Sequence, residues 1–558
     1  MDILIFQYVL ENAVKYNGKA NPGAILGKIL QEKPELKSDI DALMKKIQEI
    51  VKKVNLMPVE EQNKELSKLG IVKSKKHKEE KRKIPDLKNA KKGKVVMRFA
   101  PNPNGPLSLG HCRQALWNWL LANKYKGSFI LRFDDTDPRV KTPIKEAYSW
   151  IKNDLKWLGV KINKAVIQSK RFKIYYKYAE LLLKQGNAYI CTCNVEEFRK
   201  LLAKSIECPC RNLSSSDQLE RWKFMSRKYK EGQAVLRIKT NIMHANPAVR
   251  DWPAFRIVEK SLHPLNKKAR IWPLLNFASA IDDHELKVTH ILRGIDLEIS
   301  DIRQKYIYDY FNWLYPETMY SGKLLFEGIK STTQTNQLIK EGKLTGWDDP
   351  RLGTIMALRR KGIQKETIIE FIKEVGINRS DSKIALENLY ALNKKFIDDK
   401  SNRYFAVIDP EQIEIKNAPV KIVRIGLHPN HPKKGNRILK TNDRFYISKT
   451  DFISLEPKKL YRLMDCLNFT FNGLEFSYDS DSHDVYKERG KKIIHWLPVS
   501  NDLVKIELIM DNAETRKGFA EPSVKKLRVN QTIQFERIGF FRLDKKLKDK
   551  MIFCFIHQ

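Results

Sequence analysis

Residues 95–111, VVMRFAPNPNGPLSLGH, constrain the fold more than any other stretch of the chain. The apolar, β-branched run at Val95–Phe99 predicts a buried strand. The prolines and glycine that follow exclude a helix until Gly110–His111, where apolar residues begin to recur at helical spacing. A strand, a rigid turn and a helix form half of a nucleotide-binding βαβ unit, in which the helix N-terminus favours phosphate.

The glycines of this turn have the spacing of a P-loop but lack its chemistry. Gly105 and Gly110 are followed by His111 and Cys112, where a P-loop requires Lys and Ser or Thr. The phosphate-binding lysine and the magnesium-binding hydroxyl are therefore missing, which excludes the P-loop NTPases. A histidine at this point can still donate to a phosphate without carrying a permanent charge. An ordinary Gly/Pro turn before a surface helix is the alternative.

Charge and composition limit the partners and the compartment. The 558 residues predict several domains, and the formal net charge of +38 favours a polyanionic partner such as nucleic acid. Lysine enrichment in a low-GC or heat-adapted organism is the alternative, although it would normally bring glutamates as well. No apolar run approaches a membrane span, and the first residues lack the features of a signal peptide. We therefore expect a cytoplasmic protein that does not contact membranes.

Four of the seven cysteines lie in two pairs, Cys191-x-Cys193 and Cys208-x-Cys210. In a cytosolic chain of this length, such a pattern favours a metal site over a disulfide framework. Four thiolates can hold tetrahedral Zn²⁺, and a metal would substitute for a core in this small polar segment. Reduced free cysteines are the alternative.

The order of predicted elements divides the chain into domains. The predicted fold is an α/β Rossmann-type domain with an insertion, preceded by N-terminal helices and followed by a helical connector and antiparallel β-barrels. After the insertion, the α/β pattern is predicted to resume with a strand at Ile271–Phe277. The predicted boundaries are 1–72 for the helical appendage, 73–94 for a basic linker, 95–330 for the Rossmann domain with its 186–255 insertion, 331–400 for a loop and the helical connector, and 401–558 for the β-barrels.

Two stretches resemble the signatures of the class I aminoacyl-tRNA synthetases. Residues 108–111, S-L-G-H preceded by R-F-x-P-x-P-x-G, resemble the "HIGH" signature as the glutamyl/glutaminyl branch carries it. Leu324–Gly353, with its T-G-W-D-D-P-R-L tail, is similar to the "KMSKS" region of archaeal-type glutamyl-tRNA synthetases. Further pieces, among them L-R-F-D-D-T-D-P-R and V-T-H-I-L-R-G, extend the resemblance over residues 95–558. It is specific to the archaeal and eukaryotic form, which has β-barrel anticodon-binding domains.

The resemblance implies a glutamate–tRNA ligase that works in two steps. Glutamate attacks the α-phosphate of ATP, which enters with Mg²⁺, to give glutamyl-adenylate and pyrophosphate. A terminal hydroxyl of tRNA(Glu) then takes the glutamyl group and AMP leaves. No enzyme nucleophile is required, so catalysis depends on positioning and on stabilising negative charge. We expect a monomer, and the sequence leaves open whether tRNA(Gln) is also charged.

The resemblance also implies roles for individual residues. His111 would bind the phosphates, and Gly110 would let the nucleotide approach the backbone. Arg98 and Arg293 would bind glutamate, and Asp134 would take its α-amino group. Arg293, which glutaminyl enzymes lack, would favour glutamate over glutamine by about 2–4 kcal/mol. The insertion would grip the tRNA acceptor end. The predicted site residues are Ser108, Leu109, Gly110, His111, Lys330, Ser331, Thr332 and Thr333 for ATP, Arg98, Asp134, Asn276 and Arg293 for glutamate, and Cys191, Cys193, Cys208 and Cys210 for zinc.

Three departures from the family pattern accompany the resemblance. Ser108 replaces the first histidine of "HIGH", and Thr333 stands where "KMSKS" has its lysine. Leu275 replaces an aromatic residue that often lies in the amino-acid pocket. Within the second departure, archaeal members often lack the same lysine, but the lysine that they often carry shortly after it is Gln334 here. We hypothesise that Lys330 supplies the missing cation.

Two other functions stay open from the sequence. A glutaminyl-tRNA synthetase is disfavoured by Arg293 and by Asp137 of D-D-T-D-P, because glutaminyl enzymes tend to have Asn at the position of Asp137. A synthetase-derived tRNA-binding protein with weakened or lost catalysis is favoured by the three departures. Charging assays with glutamate and glutamine separate these functions.

Overall fold

The computed structural model describes residues 2–15, 18–32, 39–68, 84–326 and 332–558. Lys330 and Ser331, which are predicted to bind ATP, lie outside these described residues, as does residue range 73–83 of the predicted linker. The chain forms two compact units, Met1–Lys83 and Ile84–Gln558.

The first unit is helical, as predicted. Its core forms because apolar residues recur at three- and four-residue spacing, as in the third helix, which buries Leu43, Ile47, Val51 and Val54. The described helices of this unit are α1 Asp2–Lys15, α2 Pro22–Glu32, α3 Ile40–Val54 and α4 Val59–Lys68.

Helices and strands alternate through the first part of the second unit. In chain order these elements are β1 Val96–Phe99, α5 Leu109–Lys124, β2 Ser128–Phe133, α6 Ala147–Trp157, β3 Lys164–Ile167, α7 Phe172–Lys184, β4 Ala188–Cys191, α8 Val195–Ala203, α9 Ser215–Arg227, β5 Val235–Ile238, β6 Pro253–Ile257, β7 Ile271–Pro273, α10 Leu275–Glu285, β8 His290–Gly294, α11 Glu298–Tyr310, β9 Glu317–Ser321, β10 Leu324–Phe326, α12 Thr332–Lys340, α13 Ile355–Lys361, α14 Lys365–Val375, β11 Ser382–Ile384 and α15 Leu386–Ile397.

A five-stranded parallel sheet in the order β3-β2-β1-β8-β9 forms the centre of this region. Its central strands are almost continuously apolar, as expected of a sheet covered by helices on both faces. The charged residues of β1 and β2 are Arg98 and Arg132, and both are buried, as are His290 and Arg293 of β8. Helix α5 packs Cys112, Leu116 and neighbouring apolar residues into the same core. The strand order reverses between β1 and β8, where sheets of this kind bind ligands at the carboxyl ends of the strands.

The segment between α7 and α10 forms a separate antiparallel sheet in the order β4-β5-β6-β7. The strand predicted at Ile271–Phe277 is shorter than expected, because it ends at Pro273 and α10 begins at Leu275. Phe277 and Ile281 are buried at helical spacing, which explains why their apolar run continues as a helix. Strand β7 pairs with β6 and not with the parallel sheet. The antiparallel sheet therefore continues beyond residue 255, the predicted end of the insertion.

Short strands dominate the rest of the chain. In order they are β12 Asn402–Tyr404, β13 Ala406–Ile408, β14 Pro410–Lys416, β15 Ile422–Gly426, β16 Asn436–Lys440, β17 Arg444–Ser448, α16 Lys449–Ile453, β18 Lys459–Leu463, β19 Asn468–Phe471, β20 Phe476–Ser480, α17 His483–Arg489, β21 Gly490–Ile494, β22 Leu497–Pro498, β23 Val504–Ile509, β24 Thr515–Ala520, β25 Thr532–Phe535, β26 Gly539–Lys546 and β27 Met551–His557.

These strands form two seven-stranded sheets, in the orders β12-β25-β26-β27-β23-β24-β13 and β21-β18-β19-β20-β14-β17-β22. In the first sheet the two edge strands are separated in sequence by Phe405 alone, and in the second by His495 and Trp496. Each sheet must therefore curl until its edges come together, as the prediction of barrels requires. The sheets are mixed and not purely antiparallel, since β12 pairs in parallel with β25 and β18 with β21.

None of the helices in the described parts of the chain combines sufficient length with sufficient apolar character to cross a bilayer.

Candidate active site

A cavity of about 640 Å³ opens at the carboxyl ends of β1, β2 and β8. Arg98 reaches it from β1, Asp134 follows β2 directly, and Arg293 lies near the end of β8. Asn276 contributes from the first turn of α10. The four residues predicted to bind glutamate therefore line one cavity, at the point where the strand order reverses.

Two arginines of this site share one buried carboxylate. Arg98 donates to Asp283 from Nε to Oδ1 at 3.1 Å and from Nη2 to Oδ2 at 3.2 Å. Arg132 donates to the same carboxylate at 2.6 Å and also holds Asp134, through Nε at 2.6 Å and Nη2 at 3.1 Å. Burial raises the pKa of Asp283, but Arg132 and Arg98 outweigh burial and lower this pKa to about 2. Asp283 is therefore ionised at every pH near neutrality.

Arg293 is held on the other side of the cavity by Asp301. Its Nη1 donates to the Asp301 carboxylate and, at 3.2 Å, to Oε1 of Gln304. The hydroxyls of Tyr315 and Tyr320 also donate to Asp301, the former at 2.9 Å. Burial lowers the pKa of Arg293, but Asp301 and other neighbours raise it above the ordinary arginine value. This guanidinium is thus charged and fixed in place before any ligand binds.

Five residues of the cavity lining carry a buried polar atom that has no hydrogen-bond partner among the described residues: Nε of Arg256 and Arg293, and the side-chain oxygens of Asn102, Gln114 and Asn276. Buried polar atoms in folded proteins are almost always paired, so these donors and acceptors are available to a ligand in the cavity. The Nε of Arg293 can donate to a carboxylate, and Oδ1 of Asn276 can accept from an ammonium or amide group.

The positive and negative charges at the interior end of the cavity are equal in number. The three guanidiniums of Arg98, Arg132 and Arg293 meet the three carboxylates of Asp134, Asp283 and Asp301. Ligand selection must therefore depend on the direction of donors and acceptors more than on net charge. Further cations line the same cavity, namely Lys141, Arg256 and Arg303, of which Arg256 pairs with Asp137 at 3.2 Å. This cationic part suits a phosphate-bearing ligand.

Residues 108–111 form a capping box at the start of α5. Ser108 Oγ accepts from the backbone N–H of His111 at 3.3 Å, and the backbone N–H of Ser108 donates to Nδ1 of His111 at 3.4 Å. Because Nδ1 accepts, Nε2 carries the ring proton and is available as a donor. Solvent reaches the imidazole, yet the protein packed around it lowers its pKa and favours the neutral ring. The cavity lining includes Gln114, one turn further along the helix, but not His111.

The turn before α5 is attached to the tail of the second signature stretch by backbone hydrogen bonds. Leu109 N–H donates to the carbonyl of Gly353 at 3.0 Å, and Ile355 N–H donates to the carbonyl of Leu107 at 2.7 Å. These bonds resemble a short antiparallel ladder. Two segments that are more than 200 residues apart in the sequence are thereby fixed against each other.

The two glycines of the turn differ in what the protein requires of them. A Cβ added at Gly105 would lie 2.8 Å from Cγ2 of Thr332 and 3.1 Å from the ring of Trp347. A Cβ added at Gly110 would meet its nearest neighbour, Oγ of Ser108, at 3.7 Å, which is an ordinary contact. Packing therefore requires glycine at position 105 but not at position 110.

Thr332 and Thr333 were predicted in a loop, together with residues that lie outside the described ranges. The structure corrects this for the two threonines, because they form the first turn of α12. Thr335 is buried in this helix, and Leu338 and Ile339, at helical spacing from it, pack against the apolar cluster of Leu344, Leu352 and Ala357. Thr332 and Thr333 therefore lie at a helix N-terminus, and the methyl group of Thr332 lies next to Gly105.

The four cysteines of the antiparallel-sheet region form one cluster. All four Sγ atoms lie within 4.8 Å of one another. Cys193 is 3.3 Å from Cys208 and 3.8 Å from Cys210, and Cys191 is 3.6 Å from Cys208. Zinc–sulfur bonds of about 2.3 Å in a tetrahedron place the sulfurs about 3.8 Å apart, so this donor set fits Zn²⁺. No disulfide joins these cysteines.

Sequence reasoning missed Arg132, Asp283 and Asp301, which hold the predicted ligand-binding residues in place. A signal was available for two of them. Arg132 interrupts an otherwise apolar strand, and Asp283 lies in a helix whose neighbours are nearly all buried. A charged residue in such a position is seldom tolerated without a partner. The sequence does not reveal which residue that partner is.

Asp154 of α6 supports the turn that precedes α5 through a hydrogen bond to the backbone. Its Oδ2 accepts the backbone N–H of Leu107 at 3.1 Å, and the side chain is buried. Burial raises the pKa of Asp154 to about 7, although the Leu107 hydrogen bond and the charge of Arg359 act in the opposite direction. The carboxyl is therefore close to half ionised near neutral pH.

Comparisons with known proteins cover nearly the whole chain. Residues 94–399 match the family model for the catalytic domain of tRNA synthetases class I (E and Q), and residues 401–487 and 493–544 match two models for the anti-codon binding domain of the same class. The glutamate–tRNA ligase of Pyrococcus furiosus is 46% identical over 571 residues, which cover 100% of this chain and 99% of that protein. The glutamate–tRNA ligase of Methanocaldococcus jannaschii is 44% identical over 565 residues, covering 100% of both.

Asp154→Asn is expected to flatten the pH dependence of stability. The folded protein raises the pKa of Asp154 to about 7, above its ordinary value of about 3.9, so folding favours the protonated carboxyl. That stabilisation is complete below about pH 4 and is lost as the pH rises through about 7. Urea unfolding should show that, between these pH values, the wild type loses on the order of a few kcal/mol relative to the Asn variant.

Glu146→Gln provides the control for this experiment, because Glu146 is exposed at the start of the same helix. Its free energy of unfolding should follow the wild-type pH profile. A profile for Asp154→Asn that runs parallel to the wild type would contradict the assigned pKa.

Proposed function

Because the chain belongs to the class I tRNA synthetases of the glutamate and glutamine group, we propose that it attaches glutamate to the 3′ end of tRNA(Glu). The reaction uses ATP, passes through glutamyl-adenylate and releases AMP and pyrophosphate. The observation that carries the proposal is the shared cavity of Arg98, Asp134 and Arg293 at the end of a parallel sheet. Curated relatives of the same length are named glutamate–tRNA ligases.

Glutamate would occupy the neutral interior of the cavity. Asp134 lines the cavity and would accept the α-ammonium group, with Asn276 Oδ1 as a second acceptor. Arg98 uses Nε and Nη2 for Asp283, so its Nη1, which bonds to none of the described residues, is available for a substrate carboxylate. Arg293 would bind the side-chain carboxylate through its unpaired Nε.

Discrimination against glutamine follows from the fixed position of Arg293. A carboxylate offers this guanidinium a charge-assisted hydrogen bond, whereas an amide offers a neutral oxygen and an NH₂ group that cannot accept. Asp301 prevents the guanidinium from turning away to a better partner. We therefore propose that glutamine binds less well, by about 2–4 kcal/mol.

ATP would bind across the start of α5, with Mg²⁺ neutralising part of the phosphate charge. His111 would donate from Nε2 to a phosphate oxygen, since Nδ1 is engaged by Ser108. Gly110 would leave room for the nucleotide beside the backbone, because the protein itself does not fill that space. The hydroxyls of Thr332 and Thr333 would contribute from the first turn of α12. Roles for Lys330 and Ser331 remain predictions from the sequence.

The tRNA would contact both ends of the second unit. The curled C-terminal sheets belong to the part of the chain that matches anti-codon binding domains. At the other end, Lys141, Arg256 and Arg303 add positive charge to the cavity that would receive the tRNA terminus. Arg293 would select glutamate over glutamine whichever tRNA is bound. The charging experiment therefore includes tRNA(Gln) as well as tRNA(Glu). A monomeric, cytoplasmic enzyme remains the expectation from the sequence.

We also propose that the cluster of Cys191, Cys193, Cys208 and Cys210 holds Zn²⁺. The spacing of the sulfurs supports a tetrahedral ion, and the surrounding apolar cluster contains few residues besides the cysteines themselves. The ion would be structural, joining the end of β4 to the segment before α9. It would stabilise the region proposed to meet the tRNA acceptor end.

A charging experiment tests the proposed function. Purified tRNA(Glu) and tRNA(Gln) are each incubated with ATP and radiolabelled glutamate or glutamine, and the acylated tRNA is counted. We expect glutamate on tRNA(Glu) and no glutamine on either tRNA. Glutamine on tRNA(Gln) would establish a glutaminyl enzyme, and tRNA binding without any acylation would establish a non-catalytic protein.

Gly110→Ala should impair ATP use without loss of stability. The added methyl group meets the protein at 3.7 Å or more and lies in a helix, so the thermal midpoint should not fall. The methyl group would occupy the space proposed for the nucleotide, so ATP–pyrophosphate exchange in the presence of tRNA(Glu) should drop at least about tenfold, through KM for ATP.

Gly105→Ala is the contrasting variant, because its methyl group would overlap Thr332 and should lower the thermal midpoint. Unchanged exchange in Gly110→Ala would remove Gly110 from the proposed ATP site. In the same assay, unchanged exchange in Lys330→Ala would remove Lys330 from the mechanism.

Cys208→Ser should release the metal. Purified wild-type protein should contain about one zinc per chain by atomic emission, and the variant should contain much less and unfold at a lower temperature. Cys466→Ser is the matched control, since Cys466 is also buried but lies outside the cluster. Wild-type protein that contains no zinc after growth with added zinc would argue against the site.

A further inference from the structure

A single carboxylate links Arg98 and Asp134, two of the groups that are proposed to bind glutamate. Asp283 receives both Arg98 and Arg132, and Arg132 in turn holds Asp134. The four residues form a continuous chain of ion pairs across β1, α10 and β2. We infer that Asp283 is the positioning residue of this site, which sets the spacing between the group that binds a substrate carboxylate and the group that binds the substrate ammonium. The inference rests on the proposed function.

The geometry explains why one carboxylate can fix two long side chains. Arg98 meets Asp283 with two parallel bonds of 3.1 and 3.2 Å, which define the plane of its guanidinium. Arg132 uses one edge for Asp283, at 2.6 Å, and the opposite edge for Asp134, at 2.6 and 3.1 Å. Ser279 Oγ adds a bond to Asp134 at 3.1 Å. Moving Asp283 would therefore move both Arg98 and Asp134.

The negative charge of Asp283 is also needed to neutralise the two buried arginines. Arg98 and Arg132 are almost completely buried, and two buried guanidiniums side by side repel each other unless an anion lies between them. The pKa of Asp283, lowered to about 2 by these two cations, supports a carboxylate that stays ionised during the reaction. Asp283 itself is not in the lining of the cavity that the proposed function uses, so it acts through the arginines.

The neighbouring residue provides a control that separates positioning from stability. Asp282 lies in the same helix, is equally buried and also forms an ion pair, with Arg171 at 2.7 Å, and accepts the hydroxyl of Tyr175 at 2.8 Å. Neither of these partners lines the cavity. Loss of charge at Asp282 should therefore weaken the fold without displacing a glutamate-binding group.

The test compares Asp283→Asn with Asp282→Asn in full aminoacylation of tRNA(Glu). For Asp283→Asn we expect KM for glutamate to rise about 10²-fold, with KM for ATP and for tRNA within about threefold of the wild type. For Asp282→Asn we expect all three KM values within about threefold. Thermal midpoints are measured for both variants, and both should fall.

The outcomes separate the inference from the proposed function. A wild-type protein that charges no glutamate would overturn both. A wild type that charges glutamate, together with an unchanged KM for glutamate in Asp283→Asn or an equal rise in both variants, would overturn the inference alone. If Asp283→Asn does not fold, Arg132→Lys replaces it, because an ammonium group carries its donors on one atom and cannot reproduce the planar fork with which Arg132 bonds Asp283 from one edge and Asp134 from the other. The same selective rise is expected there, and its absence overturns the inference.

Discussion

The structure of this site depends on the burial of arginines in a parallel sheet. Arg98 and Arg132 point from adjacent strands into a region that contains almost no water-accessible surface. Such charges are tolerable only when carboxylates meet them with good geometry. Asp283, supplied by α10, provides that geometry. The position of the helix, the register of the strands and the shape of the cavity are therefore linked.

A balanced charge cluster has consequences for recognition. Because three carboxylates already neutralise the three guanidiniums, a ligand gains little from net charge and much from matching the fixed directions of unpaired atoms. Asp301, which accepts the hydroxyls of Tyr315 and Tyr320, fixes the guanidinium of Arg293 in the way that Asp283 fixes that of Arg98. Preorganisation of this kind lowers the cost of ordering side chains when the ligand binds. Under the proposed function, it is also the feature that would let Arg293 distinguish a carboxylate from an amide.

The fold was predictable where patterns are local, and the site was predictable where motifs are specific. The strand, turn and helix of residues 95–124 follow from periodicity and from proline and glycine positions alone. Arg98, Asp134 and Arg293 were named from motifs. Asp283 was missed because its partner Arg98 lies 185 residues away, and no local pattern encodes a pairing at that distance. The strand assigned to Ile271–Phe277 was predicted too long for a related reason, since a short apolar run fits a buried strand and a buried helix equally well.

The contacts of Ser108 alter the interpretation of this departure from the "HIGH" signature. As a departure from the signature it suggests weakened catalysis, because a histidine is missing. In the structure Ser108 caps α5 and engages Nδ1 of His111, which orients the remaining imidazole and assigns its proton to Nε2. Asp154 and Gly353 fix the backbone on either side of this pair. A turn held by so many bonds can present one histidine reproducibly, so the substitution is compatible with an active enzyme and argues against a protein that has lost catalysis.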